Sequence, residues 1–123
     1  MTINVLKPGL ATTVQDAGRE GYYHLGIPPS GALDLRSMHM ANLLVGNTPT
    51  AAVLEMTLLG PELHFTEDAL VAVCGAGMTP IIDNQPAQTH TALYIRAGQN
   101  VRFAPARQGC RAYLAVTGGI DVP

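Results

Sequence analysis

Charge is scarce in this sequence. Asp, Glu, Lys and Arg make up 13% of its 123 residues, against about 25% in an ordinary globular chain. The apolar fraction of 47% is ordinary, so the deficit lies at the surface. A chain with so little surface charge is expected to have part of its outside covered by further sequence or by a partner. The other reading is a small domain with an uncharged polar surface. The seven basic residues, Lys7, Arg19, Arg36, Arg96, Arg102, Arg107 and Arg111, are scattered, and the net charge is −2. Nucleic-acid binding, which needs a dense basic patch, is not expected.

Other absences narrow the class further. No apolar run approaches the roughly 18 residues of a membrane span, and Met1 to Leu6 shows no basic segment followed by a long apolar core. With neither membrane segment nor signal peptide in view, cytoplasmic residence is the default expectation. The two cysteines, Cys74 and Cys110, sit inside apolar runs, where a reduced, buried thiol is expected rather than a disulfide. His24, His39, His64 and His90 have no metal-ligand spacing with Cys, Asp or Glu, so no metal site is expected. Gly75-Ala76-Gly77 lacks the Gly-Lys-Ser/Thr ending of a phosphate loop and leads toward a strand instead of a helix, so the chain carries no nucleotide-binding motif.

What is present is turn chemistry. Thirteen glycines and nine prolines cut the chain into short apolar segments, which read as strands joined by tight turns. The expected strands are Ile3–Leu6, Thr12–Gln15, Ala52–Leu58, Glu62–Thr66, Ala69–Cys74, Pro80–Asp83, Ala92–Arg96, Asn100–Ala104 and Cys110–Val116. One segment has a different period: Leu35, Met38, Ala41, Leu44 and Val45 make a single helical stripe, predicting a helix from about Leu33 to Val45. Ser30 or Asp34 can cap its start, and Gly46-Asn47 can end it. The fold class is therefore mainly β with one α-helix, and no linker or repeat divides the chain.

The densest polar cluster runs from Thr12 to Gly21 and continues through Tyr22-Tyr23-His24 to Pro28-Pro29-Ser30-Gly31-Ala32-Leu33-Asp34. Its glycines let the backbone approach a ligand, Gln15 and Asp16 can orient one by hydrogen bonds, and Arg19 presents a planar fork that matches a carboxylate. The plainer reading is that Asp16 and Arg19 pair with each other or cap the loop's own backbone. Ser30, just before the helix, is a candidate nucleophile or part of an anion site, but the Gly-x-Ser-x-Gly elbow is missing and capping explains it equally. Glu55 alternates with Leu54 and Met56 in an apolar segment and is expected to point outward to solvent, a buried carboxylate being the second reading.

Residue order adds a resemblance. Val14-Gln15-Asp16-Ala17-Gly18-Arg19-Glu20-Gly21-Tyr22, Gly26-Ile27-Pro28-Pro29-Ser30-Gly31-Ala32-Leu33-Asp34 and Ala41-Asn42-Leu43-Leu44-Val45-Gly46-Asn47 follow one another in order. Leu54-Glu55-Met56-Thr57-Leu58-Leu59-Gly60-Pro61 and the closing run from Tyr113 to Pro123 complete the series. Together they resemble the opening portion of the KipA-like family, that of the C subunit of 5-oxoprolinase, also described as allophanate hydrolase subunit 2 or biotin-dependent carboxyltransferase-like. The resemblance implies a cyclophilin-like, β-barrel-rich architecture, with residues 1–123 as the N-terminal portion of a longer, truncated chain. It also implies two partners, the KipI-like B subunit and the A subunit of 5-oxoprolinase, in a complex that uses ATP to hydrolyse 5-oxoproline to L-glutamate. Two alternatives come with it: a non-catalytic regulator that binds a KipI-like inhibitor of a histidine kinase, and a module associated with urea carboxylase or allophanate hydrolase. The resemblance assigns no catalytic residue. Gln15, Asp16, Arg19, Ser30 and Asp34 are the candidates for binding a small-molecule substrate or a partner.

Overall fold

The computed structural model describes residues 3–7, 9, 11–15, 34–57, 59–75, 77–105 and 111–118. Its strands are β1 (Ile3–Lys7), β2 (Ala11–Gln15), β3 (Val53–Thr57), β4 (Glu62–Phe65), β5 (Ala69–Gly75), β6 (Pro80–Ile82), β7 (Gln85–Pro86), β8 (Leu93–Ile95), β9 (Asn100–Phe103) and β10 (Arg111–Val116). The helix among the described residues, α1 (Leu35–Leu44), lies between β2 and β3. Each strand expected from the turn residues is found. The addition is β7, two residues that pair back on Ile81 and Ile82 across the Asp83-Asn84 turn. Both turn residues have positive φ, 46° and 69°, as the tightest hairpins require.

Two five-stranded sheets result, ordered β1-β4-β9-β6-β7 and β2-β3-β10-β5-β8. All their pairings are antiparallel. The mainly β architecture, with one helix among the described residues, is as expected. The described strands form two separate sheets and not a closed barrel, an arrangement that remains compatible with a cyclophilin-like fold.

The layers follow from side-chain alternation. Met56, Val71, Val73, Ala112 and Leu114 of the second sheet share one buried cluster with Leu63, Phe65, Val101 and Phe103 of the first. The opposite face of the second sheet supplies Val53, Ala72, Cys74, Tyr113 and Ala115 to another cluster, which the helix closes with Met38, Ala41 and Val45. The second sheet is thus buried on both faces, which is why β5 and β10 read as near-continuous apolar runs. Leu35, counted in the apolar stripe, sits at its rim and is 41% exposed.

The helix ends are held by named side chains. Asp34 is the N-cap: its carboxylate accepts hydrogen bonds from the Ser37 backbone N–H at 3.1 Å and the Ser37 hydroxyl at 2.6 Å. Gly46, at φ 80°, takes the left-handed position just past the other end. Buried Asn42 donates to the carbonyls of Pro49 and Ala51. Asn47 donates to the Val116 carbonyl at 2.7 Å and accepts the Gly118 N–H at 2.8 Å. The Ala41–Asn47 and Thr117-Gly118 motifs therefore join α1 to the turn that precedes β3 and to the end of β10.

The cap makes a testable contribution. The Ser37 hydroxyl first, then the Ser37 N–H, hold the Asp34 carboxyl below its ordinary value of 3.8. A depressed folded-state pKa stabilises above the unfolded value and loses that contribution as pH falls through the folded one. Asp34→Ala should cost about 1 kcal/mol near neutral pH. Urea unfolding should show the gap to wild type narrowing at about pH 3 and below; a gap unchanged by acid would contradict the cap.

Candidate functional site

In the second sheet β3 and β10 lie side by side, with Glu55 opposite Tyr113 and Thr57 opposite Arg111. Cross-strand partners project from the same face, here the face that α1 covers. Glu55 is 5% exposed and Tyr113 fully buried. A buried carboxylate needs partners to offset its desolvation, and Glu55 has one on each oxygen. Arg111 Nη1 lies 3.2 Å from Oε1 and also donates to the Thr57 hydroxyl at 3.3 Å. The Tyr113 hydroxyl donates to Oε2 at 2.8 Å.

The Tyr113 oxygen in turn accepts the backbone N–H of Asp34 at 2.8 Å. Burial pushes the Tyr113 pKa up, the Asp34 N–H draws it partly back, and the bond to Glu55 raises it further. The phenol therefore keeps its proton at neutral pH and is the donor in its bond to Glu55. Arg111, Glu55, Tyr113 and the Asp34 N–H form one chain of contacts from the sheet to the start of the helix.

This corrects the expectation for Glu55. Strand alternation points it outward, but the face it shares with Tyr113 is the one on which α1 packs, over β5 and β10, and Arg111 and Tyr113 close over Glu55 itself. An acidic residue within an apolar segment, and an Arg-x-Tyr pair at the head of another, are the signals that the sequence offers. The register that joins them is a tertiary fact, and nothing local states it.

Of the residues proposed from sequence, Gln15 ends β2, its backbone paired with Val53. Asp34 caps α1 and touches Tyr113 through its backbone. Asp16, Arg19 and Ser30 lie outside the described residues. The segment that bears them joins β2, the edge strand beside β3, to the helix cap held by Tyr113.

Other features are accounted for by packing. Gly75, at φ 120°, leaves no room for a side chain: a Cβ there would meet the Arg111 carbonyl oxygen at 2.7 Å and the Ala112 Cα at 2.9 Å. That close approach of β10 explains the glycine without a phosphate. Burial pushes the Cys74 thiol up to about 11, so it stays an unreactive thiol; Cys110 lies outside the described residues. Among the described residues no group of three or more His, Cys, Asp or Glu side chains could hold a metal ion, and no helix is long and apolar enough to cross a membrane. A depression of about 380 Å³ on the first sheet is lined by Glu62, Ile81, Asp83, Asn84, Asn100 and Arg102. It includes none of the residues of the Glu55 chain.

Comparison with known proteins gives consistent matches. The family model of the carboxyltransferase domain, subdomain A and B, matches residues 25–123. The C subunit of 5-oxoprolinase from Escherichia coli is 42% identical over 121 residues, 98% of this chain and 39% of that protein. The urea amidolyase of Lachancea kluyveri is 40% identical over 120 residues, 97% of this chain and 7% of that protein. Among solved structures, the urea amidolyase of K. lactis superposes with a TM-score of 0.88 at 39% identity, covering 98% of this chain and 7% of that one. The chain thus spans well under half the length of each of these relatives.

Proposed function

We propose, since this chain belongs to the family of the carboxyltransferase domain, subdomain A and B, that it forms part of a multi-part ATP-dependent enzyme that hydrolyses the cyclic amide 5-oxoproline to L-glutamate. The observation that carries this reading is the 42% identity to a protein named for the C subunit of 5-oxoprolinase, spread over 98% of the chain. The identity to urea amidolyases, 40% for that of Lachancea kluyveri, favours a second reading in which the substrate is urea. The two substrates share a chemical problem, a carbonyl carbon made unreactive by resonance with nitrogen.

In the first reading, transfer of the terminal phosphoryl group of ATP to the lactam carbonyl oxygen makes that carbon electrophilic. Water adds to that carbon and the ring C–N bond breaks as the nitrogen takes a proton, leaving a glutamyl phosphate; a second water then displaces phosphate from the acyl carbon, giving glutamate and inorganic phosphate. ATP is assigned to the other two components, the KipI-like B subunit and the A subunit, which complete the complex. The role of this chain is to bind and orient. Arg19 holds the substrate carboxylate through its planar donor fork, Gln15 and Asp16 orient the bound group, and Ser30 and Asp34 set the adjoining loop against the helix.

Arg19→Ala in the full-length protein, assayed with both partner subunits on 5-oxoproline and ATP, tests this assignment. Loss of a charge-assisted pair should lower kcat/KM on the order of 10- to 100-fold, while unfolding free energy shifts by less than about 1 kcal/mol. A collapsed melting temperature with normal activity per folded molecule would make Arg19 structural and overturn its role.

A further inference from the structure

The outward face of the first sheet has no part in the function proposed above, and it carries charged groups that the fold leaves unpaired. We infer that the depression of about 380 Å³ on this face is a binding site for a free α-amino acid, with Arg102 holding its carboxylate and Asp83 and Glu62 holding its ammonium group. The inference does not rest on the reaction proposed above.

Leu63, Phe65, Val101 and Phe103 face the core, so strand alternation sends Glu62, His64, Asn100 and Arg102 to the other side. The register of β4 on β9, Leu63 with Val101 and His64 with Asn100, brings Glu62 beside Arg102. Ile81 lies opposite Arg102 on the far side of β9. Asp83 reaches the same depression from the turn between β6 and β7. Its backbone N–H donates to the Asn100 carbonyl and its Oδ1 accepts the Asn100 N–H, both at 2.9 Å. These two bonds fix the carboxylate and leave Oδ2 without a hydrogen-bond partner among the described residues. The ion pairs among the described residues join Lys7 to Glu62, at a long 3.8 Å, and Arg111 to Glu55. Arg102 has none there. Asn100 Oδ1 lies 2.7 Å from His64 Nδ1, which leaves the Asn100 NH2 group as a second donor near Arg102.

Charge balance selects the ligand. Glu62 and Asp83 are offset by Arg102 and, at the rim, by Lys7, so the depression has no net charge to attract a simple anion or cation. Its charges are separated, which suits a molecule that carries a carboxylate and an ammonium together. Arg102 offers the carboxylate a planar donor fork, and the two acidic side chains accept from the ammonium. Ile81 lines the depression with an apolar side chain for the aliphatic part of the ligand. The volume falls at the small end of the roughly 300–1,000 Å³ of small-molecule sites. Of the two ends of the reaction proposed above, L-glutamate carries this pair of charges; 5-oxoproline, whose nitrogen is an uncharged lactam, does not.

An NMR titration of the full-length protein tests the inference at the site itself, through the backbone amide signals of Asp83, Asn84, Asn100 and Arg102. L-Glutamate should shift these signals with a Kd of about 1 mM, as suits an open and solvated site. Glutarate, which lacks the ammonium, and 5-oxoproline should bind there at least about tenfold more weakly. Arg102→Gln and Asp83→Asn should each weaken L-glutamate about tenfold, with the urea midpoint near that of wild type. Asparagine at position 83 keeps both the acceptor for the Asn100 N–H and the tolerance of positive φ. The inference is overturned if L-glutamate leaves the four signals unmoved up to about 20 mM, if glutarate or 5-oxoproline shifts them equally well, or if neither substitution changes the titration. The ligand series on the unaltered protein decides the matter even where a variant folds poorly. None of these outcomes depends on whether the complex turns over 5-oxoproline.

Discussion

Met38→Asp is expected to destabilise the protein by about 4 kcal/mol or more, a large share of the roughly 5–15 kcal/mol that holds an ordinary domain folded. Met38 is fully buried in the cluster that α1 makes with Val53, Ala72, Cys74, Tyr113 and Ala115. Aspartate there would lose the apolar contacts and bring in a charge with no basic side chain among its neighbours in that cluster. Met38→Leu, close in volume, should cost less than about 1.5 kcal/mol. Denaturant unfolding of both variants checks the difference. A Met38→Asp protein as stable as wild type would mean that α1 does not rest on the second sheet.

The second large effect concerns the ion pair. Arg111→Met should cost about 2–4 kcal/mol, because among the described residues it leaves the buried Glu55 carboxylate with the Tyr113 hydroxyl alone as a hydrogen-bonding partner. The upper part of the usual range of about 3–5 kcal/mol is not expected, since the Arg111 side chain is 29% exposed and water can partly replace it. Adding Glu55→Gln to Arg111→Met removes the stranded charge and should restore more than half of the loss. If the double variant is no better than Arg111→Met, the pair is not what stabilises the site, and lost packing of the arginine stem is.

Strands are legible in the sequence because glycine and proline punctuate them, and the helix is legible because Met38, Ala41 and Val45 keep its period. Asp34 is readable as a cap for the same local reason: a short acidic side chain three residues before a serine. Glu55 is not readable in this way. Strand alternation reports which residues share a face and is silent about what closes that face, and here Glu55 is closed in by Arg111 and Tyr113 of a distant strand. Its partner Tyr113 lies 58 residues away, beyond the reach of any local pattern. The two-residue β7 escapes notice because its ladder is too short to leave a periodic trace. The candidate site is legible as a composition, a polar glycine-bearing segment with Gln15, Asp16 and Arg19, whereas the bonds that link Glu55, Tyr113 and the Asp34 N–H come only from the packed structure.

Glutamate formation is the most direct measure of the proposed activity. The full-length protein, combined with its two partner subunits, 5-oxoproline and ATP, should release glutamate and inorganic phosphate in equal amounts, and should release neither when this protein is left out. Undiminished glutamate release without it, or phosphate release that responds to urea and not to 5-oxoproline, would contradict that activity.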